Sequence, residues 1–195
     1  MHHRAPMGKP STGSERGFSL VETLVASVIL ATTLVSLAEL IAMAVKSNSL
    51  ARTSTVATVL AAQKLEQLRA LTFGFNARGG PMTDTTTDTG VSPPQPTGGT
   101  GLTPSPSNTL VTSVDGYADY LDGDGRLVGR GTAIPPGTVY IRRWMITPVP
   151  ANPETTLIVQ VFVTQRKDRA VLNSQRLTQM PGEARLVTVR TRTAQ

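Results

Sequence analysis

The 195-residue chain contains no cysteine and only two histidines, His2 and His3, both at its start. The first absence excludes a disulfide frame, a thiolate metal site and a cysteine nucleophile. The second leaves no histidine within a folded region, which excludes a Ser-His-Asp arrangement and a histidine-built zinc site. Aromatic residues are scarce at 4%, so a large aromatic core is not expected. Carboxylates alone can act as acid and base, but no paired carboxylate motif is present, and the chain is read as a non-enzyme. Glycine and proline, the strongest punctuators of regular structure, are both missing between Phe18 and Phe73.

Charge is missing from one region in particular. Between Phe18 and Val45 the only charged residues are Glu22 and Glu39, and the 16 residues from Thr23 to Ala38 carry none. A helix needs about 20 apolar residues to cross the hydrocarbon of a bilayer, and Phe18 to Ala38 meets that length. Glu39 then lies at the far interface, within reach of water. Glu22 stands about one turn inside the near end, where a charged side chain costs roughly 2.5–3.5 kcal/mol on insertion scales unless it snorkels to the headgroups or finds a partner. Arg4, Lys9 and Arg16 against Glu15 make the preceding flank basic, which keeps the N-terminus cytoplasmic and sends the chain after Val45 across the membrane.

The stretch R-G-F-S-L-V-E-T-L-V-A-S-V-I-L, from Arg16, resembles the N-terminal signal of type IV pilins and type II secretion pseudopilins. It has a short basic leader ending in Gly17, then Phe18, then a glutamate at Glu22 within an apolar helix. The resemblance covers about residues 16 to 71. Within it, A-A-Q-K-L-E-Q-L-R at Ala61 to Arg69 is similar to a stretch of V-type minor pilins and I-type minor pseudopilins. The resemblance implies cleavage after Gly17 by a prepilin peptidase, methylation of the new amine on Phe18, and pairing of Glu22 with the N-terminal amine of a neighbouring subunit. It implies a bacterial inner-membrane protein with its C-terminal domain in the periplasm, later part of a filament in the periplasm or at the cell surface. Its partners would be other pilins or pseudopilins, the peptidase, the inner-membrane assembly platform and, before assembly, membrane lipid.

Five segments follow: a leader over 1–17, a transmembrane helix half over 18–45, an amphipathic helix half over 46–73, a loop over 74–108 and a β-rich exported domain over 109–195. In the second helix half, Ala57, Leu60, Ala61, Leu65, Leu68 and Leu71 recur at spacings of three and four, an apolar stripe that must pack on something. The 74–108 segment holds seven glycines and six prolines and is expected to have little regular structure. It has no Asn-x-Ser/Thr acceptor for a glycan. Strand signals lie at Leu110 to Val114, Thr138 to Thr147, Thr156 to Thr164, Ala170 to Leu177 and Ala184 to Thr193. The expected fold class is α+β: a long N-terminal helix packed on a small antiparallel sheet.

Two charged regions invite a ligand. D-G-Y-A-D-Y-L-D-G-D-G-R-L carries Asp119, Asp122 and Asp124, oxygen donors that suit Ca²⁺. An EF-hand frame fails at both ends, with Tyr120 at its first position and Gly131 at its twelfth, so the readings are a different Ca²⁺ loop or a plain turn. From Thr164 to the end, seven Lys or Arg face two acids. That balance can attract DNA phosphates, without the interleaved aromatics that stack on bases, since Phe162 is the last aromatic residue. A DNA-uptake or adhesion subunit is therefore the alternative to a purely structural one.

Overall fold

A computed structural model describes residues 17–85, 100–166 and 182–194. It has one long N-terminal helix, α1 (Leu20–Ala70), and eight strands. The chain divides into two compact units, Met1–Lys46 and Ser47–Gln195.

In the first unit every described residue of α1 is exposed, including Leu24, Val28, Leu34, Ile41 and Val45. This part is long and apolar enough to cross a membrane, by length and composition. Its hydroxyls are already bonded to the helix. Ser27 donates to Thr23 O at 2.7 Å, Thr32 to Ile29 O at 2.9 Å and Ser36 to Thr32 O at 3.0 Å. A hydroxyl satisfied one turn back asks nothing of its surroundings, which suits a helix in lipid.

In the second unit, the rest of α1 buries Ala57, Leu60, Ala61, Lys64, Leu65 and Leu68. The expected stripe is therefore the packed face, with one charged residue set into it. It packs against a five-stranded antiparallel sheet in the order β4-β3-β5-β6-β7: β3 (Ala118–Leu121), β4 (Leu127–Arg130), β5 (Tyr140–Pro148), β6 (Thr156–Gln165) and β7 (Ala184–Thr191). Strand alternation turns Trp144 and Ile146 of β5, and Leu157, Val159, Val161 and Val163 of β6, into the core with the helix stripe. A smaller sheet joins β1 (Phe73–Phe75) to β2 (Pro81–Thr83) antiparallel and to β8 (Thr193–Ala194) parallel.

Two sequence expectations are corrected. The segment after residue 73 opens with a hairpin rather than a loop: Phe73 pairs with Thr83 and Phe75 with Pro81. Asn76 closes it, its Oδ1 accepting from the backbone N–H of Arg78 at 3.0 Å and Gly80 at 2.8 Å. Asparagine supplies that turn chemistry, so the glycines there mark a tight turn. Leu110 to Val114 is not a strand. Asn108, in the left-handed region at φ 71°, accepts from the N–H groups of Val111 and Thr112, both at 2.9 Å, and folds the segment on itself. The expected strand at Ala170 to Leu177 lies outside the described residues, as do the leader before Gly17 and the middle of the Gly/Pro-rich segment.

Candidate functional site

In the N-terminal segment Gly17-Phe18-Ser19 has no regular structure, and the chain enters α1 at Leu20. A Cβ built on Gly17 would have nothing within 4 Å, and Phe18 is 82% exposed. Both residues of the Gly17–Phe18 bond are exposed among the described residues. Ser19 caps the helix. Its Oγ accepts from Val21 N at 3.3 Å, and its carbonyl accepts from Thr23 N at 3.1 Å. Glu22 follows three residues later, in the first turn. Ser19-Leu20-Val21-Glu22 therefore has the S-x-x-E spacing of a capping box, and a carboxylate there is favoured by the positive end of the helix dipole. Sequence reading missed this capping-box spacing, although it was there to see. Glu22 has no ion pair among the described residues.

The charge handling in the second unit is the opposite. Asp119 on β3 lies directly across from Arg130 on β4 and from Arg142 on β5. All three turn toward the helix, where Lys64 interrupts the apolar stripe. Asp119 Oδ2 accepts from Arg142 Nη2 at 2.7 Å and Nε at 3.2 Å, and sits 3.2 Å from Lys64 Nζ. Its Oδ1 is 3.4 Å from Arg130 Nε. Arg142 Nη1 reaches on to Leu60 O at 3.1 Å and Gln63 Oε1 at 3.3 Å. Lys64 Nζ also stands 3.9 Å from the centre of the Trp144 ring, a cation–π contact strengthened by burial. Burial pushes the Asp119 carboxyl up, but Lys64, Arg142 and Arg130 outweigh it and hold the group below its ordinary value. The signal for this network was a lysine four residues after Leu60 and three after Ala61, a position the stripe reserves for apolar side chains.

That network occupies one of the three aspartates named for Ca²⁺. Asp119 points into the core and its carboxylate is already shared by three cations. Asp122 points into its own turn, where Oδ1 accepts from the N–H of Asp124 at 2.9 Å and of Arg126 at 2.8 Å. Asp124 is exposed. The three aspartates are not brought to one point, and the described residues contain no metal-binding cluster of three or more acids or histidines. The D-G-D-G turn sits close against the helix. Gly125 has φ +79°, and a Cβ there would come 2.7 Å from Leu60 Cδ2.

Three arginines of the basic C-terminal run are engaged as well. Arg190 Nη1 donates to Leu68 O and Leu71 O, both at 2.9 Å, and so caps the end of α1, where carbonyls lack helical partners. Arg192 Nη1 donates to Met82 O at 2.8 Å and Gly74 O at 3.2 Å, and its guanidinium lies 4.2 Å from the Phe73 ring. Arg185 donates to Gln160. Arg166 is exposed, while Lys167, Arg169 and Arg176 lie outside the described residues.

No family model matches the chain, and no curated protein or solved structure matches it either. The functional reading therefore rests on the residues themselves.

Proposed function

We propose that this chain is a minor pilin or pseudopilin, a structural subunit of a type IV pilus or type II secretion filament. The observation that carries the reading is the junction at Gly17: an open glycine, an exposed Phe18, and a Glu22 without an ion pair among the described residues, at the head of a helix whose residues up to Lys46 are all exposed. The membrane holds the subunit before assembly. Removal of residues 1–17 leaves a cationic amine on Phe18, and the Glu22 carboxylate of an adjacent subunit neutralises it. A buried carboxylate and a buried amine each need such a partner, and the pair sets register more than it adds stability. The second unit is presented outside the membrane. The protein acts by packing and has no catalytic centre in this reading. A DNA-binding role draws little support from Arg190 and Arg192, since both are already bonded to backbone carbonyls.

Intact-mass measurement on membrane-extracted protein, from a host with an active prepilin peptidase, tests this. The expected product begins at Phe18 and carries one added methyl group. A chain that keeps Met1 to Gly17 would overturn the reading.

A further inference from the structure

The two edges of the five-stranded sheet are unlike. β4 has four residues, and Val128 is an extra residue in its pairing with β3, where the register shifts. A short, bulged edge resists further pairing. β7 has eight residues and pairs with β6 without a break from Ala184 to Thr191. It contains no proline, no glycine and no acid. Beyond it, Thr193 pairs with Gly74 of β1, so the smaller sheet covers only the continuation of the strand.

The phase of the hydrogen bonds sets what the β7 edge presents. Arg192 N donates to Thr155 O at 2.8 Å, and Val149 N donates to Thr156 O at 2.9 Å. Thr156 therefore faces β5, and Leu157 faces Arg190 of β7. By alternation the N–H and C=O groups of Arg185, Val187 and Val189 point away from β6, to the open side. No other described strand pairs there. The side chains of the same three residues lie on the sheet face turned away from α1. Val187 is 55% and Val189 61% exposed, and Val189 stands opposite the half-buried Ile158. Arg185 is exposed, has Phe162 opposite it, and donates to the neutral Gln160.

We infer that β7 takes an added strand from a different protein chain, one that sets β-branched residues beside Val187 and Val189 and an acid beside Arg185. The main-chain groups of the edge supply the bonding, and the alternate side chains supply the choice of partner. Charge points away from this chain as its own partner: no acid occurs between Ala184 and Gln195, while Arg185, Arg190 and Arg192 do. Geometry points the same way. Two β7 edges close antiparallel about a two-fold axis through the sheet, which reverses every direction lying in it. The half of α1 packed along the sheet would then run opposite ways in the two copies, and the chains preceding Ser47 would leave from opposite ends. One membrane cannot hold both. That exclusion rests on α1 lying in a membrane, and the added strand itself does not.

The test titrates full-length protein in detergent with a fluorescent, end-blocked peptide, Thr-Val-Thr-Val-Thr-Glu-Thr. Antiparallel pairing sets its valines opposite Val189 and Val187 and its glutamate opposite Arg185. Saturable binding is expected. N-methylation of the two valines and the glutamate, whose N–H groups face β7, should abolish it, and N-methylation of the threonines should not. Lysine in place of the peptide glutamate should weaken binding by up to about fivefold, the size of a cross-strand charge pair. Val189→Pro removes an outward donor and no bond to β6, and should weaken binding about tenfold. No saturable binding, or equal loss from both methylation patterns, overturns the inference. So does a full-length protein that is already dimeric and becomes monomeric with Val189→Pro, which assigns the edge to a second copy. Binding that appears only when residues 168–180 are replaced by a short linker overturns it too, and assigns the edge to the chain's own segment. None of these outcomes touches processing at Gly17, so the inference and the proposed function fail separately.

Discussion

Glu22 and Asp119 are both carboxylates set among apolar residues, and the chain treats them in opposite ways. Asp119 is nearly inaccessible and is held by Lys64, Arg130 and Arg142. Glu22 stands exposed in the first turn of a helix and has no cation near it among the described residues. The two halves of α1 differ in the same sense. The half after Lys46 buries its stripe against the sheet, and the half before it buries nothing. A charge that folding must accommodate is neutralised within the chain. A charge left without a partner awaits something outside it, whether water, headgroups or another subunit.

The sharpest way to break the comparison is to remove the acid that folding needs. Asp119→Ala leaves three cations at the helix–sheet interface without their shared carboxylate. It should destabilise the second unit by about 3–5 kcal/mol, read from denaturant unfolding of the full-length protein in detergent. Replacing the centre of the network together (Lys64→Met, Asp119→Leu, Arg142→Met) should be far milder, because apolar side chains of similar size often substitute for a buried ion network without loss. Acid sharpens the same point. The Asp119 carboxyl titrates below its ordinary value of 3.8, so its contribution is complete above that pH and disappears as pH falls through the lower, folded-state value. Asp119→Asn should flatten the fall in stability below about pH 4; an unchanged acid limb would assign it to other groups.

Next in size is the turn that seats on the helix. Gly125→Ala puts a Cβ into the left-handed region and against Leu60, and should lower stability by roughly 1–2 kcal/mol. Gly123→Ala, whose added Cβ meets nothing within 4 Å, is the matched control and should change little. Arg190→Ala removes the two bonds that close α1 and should lower stability by about 1–2 kcal/mol, with Arg190→Lys intermediate because it keeps the charge and loses the fork. Hydrogen exchange at the end of α1 would localise the effect to that helix terminus.

What could be read without the structure followed physical reach along the chain. The helix and its buried stripe were legible because no glycine or proline interrupts them and the spacing is regular. The strands β5 and β6 were legible as long β-branched runs. Lys64, Arg142 and Asp119 were not legible as a unit. Their pairing depends on which face each strand turns inward and on the register that sets Asp119 opposite two arginines, neither of which is local. The D-G-D-G turn suggested a cation because its composition is shared by ion loops and tight turns, and its close approach to Leu60 is not local in the sequence. Arg190 counted only as one cation of a basic run because its partners are carbonyls about 120 residues away. At the N-terminal junction the residues were all in view, and the capping-box spacing of Ser19 and Glu22 was the part left unread.

The smallest expected effect on folding belongs to Glu22, and it bears most directly on the central claim. Glutamine fills the third position of a capping box as well as glutamate does, so Glu22→Gln keeps the helix start and removes only the charge. Its effect on the stability of the full-length protein should stay within about 0.5 kcal/mol. The deciding measurement is the amount of Glu22→Gln protein in sheared filaments, or crosslinked to neighbouring subunits, relative to its level in the membrane. If Glu22 neutralises the amine of an adjacent Phe18, processing continues and incorporation falls severely. Incorporation equal to that of the unsubstituted chain would contradict the account and leave Glu22 as a helix cap.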